Sequence, residues 1–295
     1  MKQEHIGAAL VLLSAVCYGF MAVFVKLAYA GHINLITTLS VRFVLASLFM
    51  WLVVLVSRQP VSISRKEAAS LFSLSLLGYG GASTFFFASL QMIPASLASL
   101  VLFIHPVMVS LFEVVVYRYP LNIQKVSALG LSTAGLVLVL GNISGRFDPG
   151  GIILVLGAAL SYTAYLLYGK KVVTRHPPAV TTAFVLTFAA AGFTLYGLAA
   201  GGISFGFPAA SWIWLAAMAV VSTFMGISLL FAGLKRLEAG KASIISTFEV
   251  VVTVGFSALL LGDVLTPLQL AGGLMILAGI IILQVQSKNL FGASR

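Results

Sequence analysis

IGAALVLLSAVCYGFMAVFVK, residues 6–26, and GGIILVLGAALSYTAYLLYGK, residues 150–170, decide the fold. Each is a continuous apolar run closed by a lysine, Lys26 in one and Lys170 in the other. A helix rising about 1.5 Å per residue crosses a hydrocarbon core in about 20 residues. A membrane strand needs only about 10 and alternates in polarity, so uninterrupted runs of this length are helices. Laid over each other at an offset of 144, the stretches align Leu10-Val11-Leu12 with Leu154-Val155-Leu156, Tyr18 with Tyr162 and Lys26 with Lys170.

The same offset holds through the rest of both halves. Thr37-Thr38 falls on Thr181-Thr182, Phe87-Ala88 on Phe231-Ala232, Ala98-Ser99 on Ala242-Ser243, Phe112 on Phe256 and Ala134-Gly135 on Ala278-Gly279. A fixed period without gaps marks an internal duplication. Apolar runs read against Gly, Pro and charge punctuation give ten helices: 6–28, 35–56, 68–90, 95–116, 123–141, 150–171, 179–200, 212–233, 242–261 and 266–286. Each copy holds five spans, and because five is odd the second copy enters the membrane from the opposite side. The expected fold is an all-α integral membrane protein with ten transmembrane helices as two inverted five-helix repeats, residues 1–146 and 147–295. Two such copies can exchange conformations and so turn an inward-open cavity into an outward-open one. The duplication therefore predicts alternating-access transport.

Composition agrees. Of 295 residues, 60% are apolar and 8% charged, against about 25% charged in a soluble domain. That is too little polar surface for a water-facing globule, and it excludes disorder, collagen-like repeats and coiled coil. The net charge of +10 comes from Lys and Arg set between apolar runs, with no basic stripe. It reads as membrane topology, and no nucleic-acid partner is expected. With the N-terminus in the cytoplasm, 14 of the 17 basic residues lie on that side, Lys26 and Arg146 lie outside, and Arg42 lies within the second span. Both termini are thus expected in the cytoplasm. Ala28-Tyr29-Ala30 before Gly31 resembles a signal-peptidase site, but the apolar run ahead of it is longer than a secretory core of about 7–15 residues. The first span is expected to stay uncleaved. Cys17 is the lone cysteine, which excludes an intrachain disulfide and a cysteine metal cluster. No metalloprotease, P-loop or nucleophile-elbow motif is present, nor paired carboxylates on one helix, so no enzyme activity, cofactor or metal is expected.

Arg42-Phe43-Val44-Leu45-Ala46, Ile93-Pro94-Ala95-Ser96-Leu97-Ala98 with Pro106-Val107, Glu249 and Gly262-Asp263 together resemble the EamA-type ten-helix transporters of the drug/metabolite transporter superfamily. The first stretch is similar to that family's Arg-Phe-x-x-Ala element in the second helix, and the next two to the start and middle of its fourth. Glu249 stands where many members have Glu-Pro, and Gly262-Asp263 where they have Gly-Glu. Val250 departs from that proline, which leaves a kink there open, and Arg118-Tyr119 replaces the Gly-Glu pair in the first half. The resemblance spans the chain and implies a bacterial inner-membrane carrier, an exporter of small metabolites with amino acids foremost. Alternatives are a multidrug or other metabolite exporter of the same fold. From a different class, the alternative is a membrane-embedded enzyme or accessory protein, whose sign would be a cluster of catalytic carboxylates or histidines.

Ionisable groups inside a span are costly and face protein or water, which makes them default functional candidates. His105 in the fourth helix and Glu249 in the ninth coincide at the 144 offset. They read either as a substrate anchor or proton-coupling pair, with protons as the coupling ion, or as buried interhelical hydrogen bonds. Ala242, Ile245, Ser246 and Thr253 share the Glu249 face, which is small and partly polar, as a cavity wall would be. Tyr18, Tyr79, Tyr162 and Tyr165 lie deep in helices 1, 3 and 6, where aromatic faces suit an apolar side chain or a cation. Ser83 and Phe86 share the Tyr79 face. Arg42 could meet an anion or substrate carboxylate near the outer end of its helix, or snorkel, and Lys26 reads as an interface anchor. Glu113, within reach of Arg118 or Lys125, reads as structural. Gly130 and Ala134 form a small-x-x-x-small pair suited to close helix approach or a dimer surface. The expected cavity, formed by helices 1, 3, 4, 6, 8 and 9, holds Tyr18, Tyr79, Ser83, Phe86, His105, Tyr162, Tyr165, Ser246 and Glu249. Its partners are a small-molecule substrate and the lipid bilayer.

Overall fold

The computed structural model describes residues 2–117, 123–141, 148–172, 177–234, 236–237 and 245–292; these are helical apart from short connections, with no strand among them. Helix α1 (Lys2–Gly19) continues into α2 (Met21–Ala30) across a break at Phe20. Helix α3 (Leu35–Val56) begins at Asn34, whose side chain accepts from the Thr37 amide at 2.8 Å and so caps the first turn. Helix α4 (Arg65–Ser73) begins in a capping box: Ser64 Oγ accepts from the Glu67 amide at 3.3 Å, and the Glu67 carboxylate accepts from the Ser64 amide at 2.8 Å. That box starts the helix at Arg65, ahead of the expected 68. The rod then runs through a π-helical stretch, Leu74–Gly80, into α5 (Gly81–Ser89). Helices α6 (Ala95–Leu102) and α7 (His105–Tyr117) are separated at Phe103-Ile104, because Pro106 has no N–H with which to continue the ladder. Helix α8 (Ile123–Gly141) follows.

The second half repeats this order in α9 (Pro149–Val172), α10 (Pro178–Ala199), α11 (Trp212–Ala217), α12 (Gly226–Leu234), α13 (Phe248–Leu261) and α14 (Pro267–Gly292). Between α11 and α12 lies a second π-helical stretch, Met218–Met225, which starts 144 residues after the first. Helix α13 ends on Gly262 at φ 69°, a left-handed conformation glycine adopts without strain.

Among the described residues six helical runs are long and apolar enough to cross a membrane: Gln3–Ala30, Leu35–Val56, Arg65–Ser89, Pro149–Tyr168, Ala179–Ala199 and Ala209–Leu230. Shorter apolar helices at Ala95–Val109, Val126–Val139, Phe248–Leu261 and Pro267–Ile282 stand at the other expected positions. Large apolar side chains such as Leu52, Leu55, Leu77, Leu195 and Leu259 are exposed, as a lipid-facing surface requires. The chain is an all-helical, multi-pass membrane protein.

Packing between the halves is reciprocal. Helix α3 packs along α10 and α8 along α14, each pair being equivalents at the 144 offset; α1 packs on α12 as α5 packs on α9, and α1 on α13 as α6 and α7 pack on α9. Exchanging the halves maps each of these contacts onto itself or onto another of them, which is what a pseudo-two-fold axis does. On the α8–α14 seam, Ser132 Oγ donates to the Ile276 carbonyl at 3.5 Å, joining two equivalent positions. A Cβ on Gly135 would lie 2.5 Å from the Gly272 carbonyl, so only glycine allows this approach. Gly130, by contrast, has open space around its Cβ position and is exposed with Ala134, so that pair does not build the seam.

Candidate functional site

Where the halves meet there is a cavity of about 350 Å³, within the range of about 300–1,000 Å³ typical of small-molecule sites. Residues equivalent at the 144 offset border it in pairs: Tyr18 with Tyr162, Ala22 with Leu166, Phe86 with Leu230, Leu102 with Ser246, and His105 with Glu249. The cavity therefore lies on the pseudo-two-fold axis.

Arg42 is the most heavily engaged group on its wall. It is 2% exposed. Its Nε donates to Thr223 Oγ1 at 2.9 Å, Nη2 to Tyr79 Oη at 2.9 Å and Nη1 to Ser83 Oγ at 3.5 Å. Tyr79 lies in the first π-helical stretch and Thr223 in the second, at equivalent positions. Thr223 Oγ1 also donates to the Met218 carbonyl at 3.0 Å, five residues back, a carbonyl that the wider turn brings into reach. The guanidinium carbon stands 4.8 Å from the Phe43 ring centre and 5.0 Å from that of Phe87, positions that favour a cation over each ring. Arg42 thus does not snorkel: α3 is held against α10, which turns this side chain inward.

His105 opens α7, with Nδ1 donating to the Leu102 carbonyl at 3.1 Å. The ring stands edge-on to Tyr162, centroids 4.8 Å apart. Glu249 sits in the first turn of α13. The helix begins after a turn at Thr247, whose carbonyl accepts from the Val250 amide at 3.2 Å, so the chain breaks here without the family's proline. Thr253 Oγ1 donates to the Gly19 carbonyl at 2.9 Å and fastens this helix to α1.

Tyr18, Arg42, Tyr79, Ser83, Phe86, His105, Tyr162, Ser246 and Glu249 all border the cavity. Tyr165 does not; it packs behind Tyr79, with ring centroids 5.5 Å apart, and against Gly78. The side chain continues the ring cluster one layer out, because it projects from α9 toward the π-helical stretch. Arg42 adds the second rod of the chain to the walls and Ile280 the tenth, beyond the six helices expected. Ser14, Ser99 and Phe103 also border the space, and no signal in the sequence separates them from ordinary packing residues. Lys26 lies apart, with Tyr29, His32, Asn34 and Gln91 around an open pocket of about 520 Å³ at the end of α2. Asp263 accepts from the amide and hydroxyl of Ser96, both at 3.2 Å, and from the hydroxyl of Ser257. It ties the end of α13 to the start of α6. The side chains of Glu113 and Lys125, together with Ala242, Arg118 and Arg146, lie outside the described residues. Among the described residues no three His, Cys, Asp or Glu gather where they could hold a metal ion.

The model of the EamA-like transporter family matches residues 5–141 and again residues 149–285. The chain is 30% identical over 236 residues to a Salmonella typhimurium protein named "Probable amino-acid metabolite efflux pump", covering 74% of this chain and 76% of that one. It is 31% identical over 208 residues to the Escherichia coli threonine/homoserine exporter RhtA, covering 67% and 66%. A solved crystal structure matches with a TM-score of 0.65 over 96% of this chain and 98% of that one, at 17% identity, which shows a shared fold alone.

Proposed function

The chain belongs to the EamA-like transporter family, and from that premise we propose that it exports small metabolites, amino acids first, by alternating access through the central cavity. Its substrate is a small molecule and its setting is a membrane. The observation that most supports export by this route is a cavity bordered in pairs by equivalent residues of the two halves. A carrier made of inverted copies reverses its access by letting each half take up the conformation of the other, and a site on the axis is then reached from either side. In this reading residues 1–146 and 147–295 are inverted five-helix repeats that cross a bacterial inner membrane ten times in all, with both termini cytoplasmic. The distribution of basic residues supports that orientation. The printed names of the Salmonella and Escherichia relatives support amino-acid metabolites as cargo.

Glu249 and His105 tune binding or proton coupling, being a carboxyl and an imidazole set at equivalent positions on the cavity wall. Counterflow of labelled amino acids in proteoliposomes, with and without a pH gradient, tests the proposal. Accumulation against unlabelled amino acid is expected, and dependence on the gradient would assign coupling. Exchange of other small molecules with no amino acid among them would overturn the substrate class. Failure with every small molecule would overturn transport.

A further inference from the structure

A basic and an acidic side chain, Arg42 and Glu249, border this cavity without meeting each other among the described residues. Arg42 offers five N–H donors, and three of them are taken by the neutral hydroxyls of Thr223, Tyr79 and Ser83. Among the described residues the other two have no acceptor, on a side chain 98% buried against the cavity. Glu249 borders the same space with no cation recorded at ion-pair distance among the described residues. Tyr18 borders the same space.

A buried cation lacking an anion and a buried carboxyl lacking a cation each carry a desolvation cost that a direct pair would offset. The protein holds them apart instead, across a space of about 350 Å³. A ligand with one charge relieves only one of them. A compact ligand that carries both charges relieves both and adds none of its own.

Resting on the exporter reading above, we propose that Arg42 and Glu249 are the two poles of a zwitterion site: Arg42 takes the α-carboxylate, Glu249 takes the α-ammonium, and Tyr18 lines the gap between them. The side chain of the bound amino acid then lies toward Phe86, Phe103 and Tyr162. Specificity resides in the backbone of the substrate, and the side chain is read loosely. Amino acids of different side chains share the site, and those with one charge blocked are refused.

Counterflow in proteoliposomes decides this with threonine and phenylalanine, each beside its amide and its N-acetyl derivative. For the native protein each blocked derivative is expected to exchange at least 10-fold less well than its parent. Glu249→Gln is expected to bring the N-acetyl derivative level with the parent while the amide stays refused. Arg42→Gln is expected to do the converse. Arg42→Lys, which keeps a cation at that depth, is expected to retain refusal of the amide, and it serves if Arg42→Gln does not fold. Parents exchanged no better than their derivatives by the native protein, or an unchanged selectivity in the Glu249 variant, would overturn the two-pole site while leaving amino-acid export standing. Absence of exchange with both parents, alongside exchange of another metabolite, would instead overturn the amino-acid reading on which it rests.

Discussion

At the depth where α3 carries Arg42, its equivalent α10 carries Leu186; both side chains are buried, one at 2% and the other at 0% exposure. Where α7 opens on His105, α13 presents Glu249. The backbone around these positions is nonetheless duplicated closely, down to π-helical stretches that start at Leu74 and Met218. The scaffold of this protein is thus symmetric while the chemistry on its axis is not. Geometry has to repeat if each half is to take up the other's conformation. A single small ligand lying across the axis, however, presents a different end to each half, so residues that touch it are free to diverge.

Making the halves alike should therefore damage binding more than it damages folding. Arg42→Leu, which copies the second half into the first, removes three hydrogen bonds to a charged group. It is expected to weaken substrate binding by about 2–4 kcal/mol, roughly 30- to 1,000-fold, read as the concentration dependence of counterflow. Glu249→Gln should cost about 1–3 kcal/mol of affinity. In the coupling reading it also changes the dependence of rate on pH between 5 and 8, leaving what His105 contributes, and a pH profile unchanged from the native protein would remove Glu249 from that role.

Symmetry of the scaffold can be attacked separately. Gly135→Leu forces a side chain into the Gly272 backbone and is expected to destabilise the protein by about 1–3 kcal/mol. Gly130→Leu, on open surface of the same helix, should leave thermal stability in detergent unchanged within about 0.5 kcal/mol. The mildest test compares the equivalent pair: Tyr79→Phe and Thr223→Val each delete one 2.9 Å bond to Arg42. Each should reduce affinity by about 1–1.5 kcal/mol, and by similar amounts. A large inequality would mean that the two halves hold Arg42 by different means.

The apolar runs and their punctuation carried most of the helix pattern, because burying a backbone in lipid permits few alternatives. They missed what depends on hydrogen bonding within a rod. The capping box at Ser64 and Glu67 is a spaced pair that moves a helix start by three residues, from 68 to 65. The breaks at Phe20 and Thr247 have no proline to announce them, and the π-helical stretches leave no mark in hydropathy. Within the site, Tyr18, His105 and Glu249 were legible because a polar group deep in an apolar span needs a reason. Arg42 was legible as unusual but not as central, since its inward direction comes from the pairing of α3 with α10, a contact between positions far apart in the chain. Tyr165 shows the reverse case: its depth is right, but its side chain stacks outside the wall.

Gly135 lies against the Gly272 carbonyl, and its counterpart Gly279 lies against the carbonyl of Ala128, the counterpart of Gly272. In the alternating-access reading, swapping the halves turns each of these contacts into the other, so the pair weighs the same in the form that faces the cell and the form that faces away. Altering both together can raise or lower the hill between those forms but cannot tilt the valley floors on either side. Arg42, opposite Leu186, has no such neutrality, and a change there tips one form against the other. In the alternating-access reading, the α8–α14 seam and the α3–α10 pair are thus two separate controls, one for how fast the carrier turns over and one for which side it rests on.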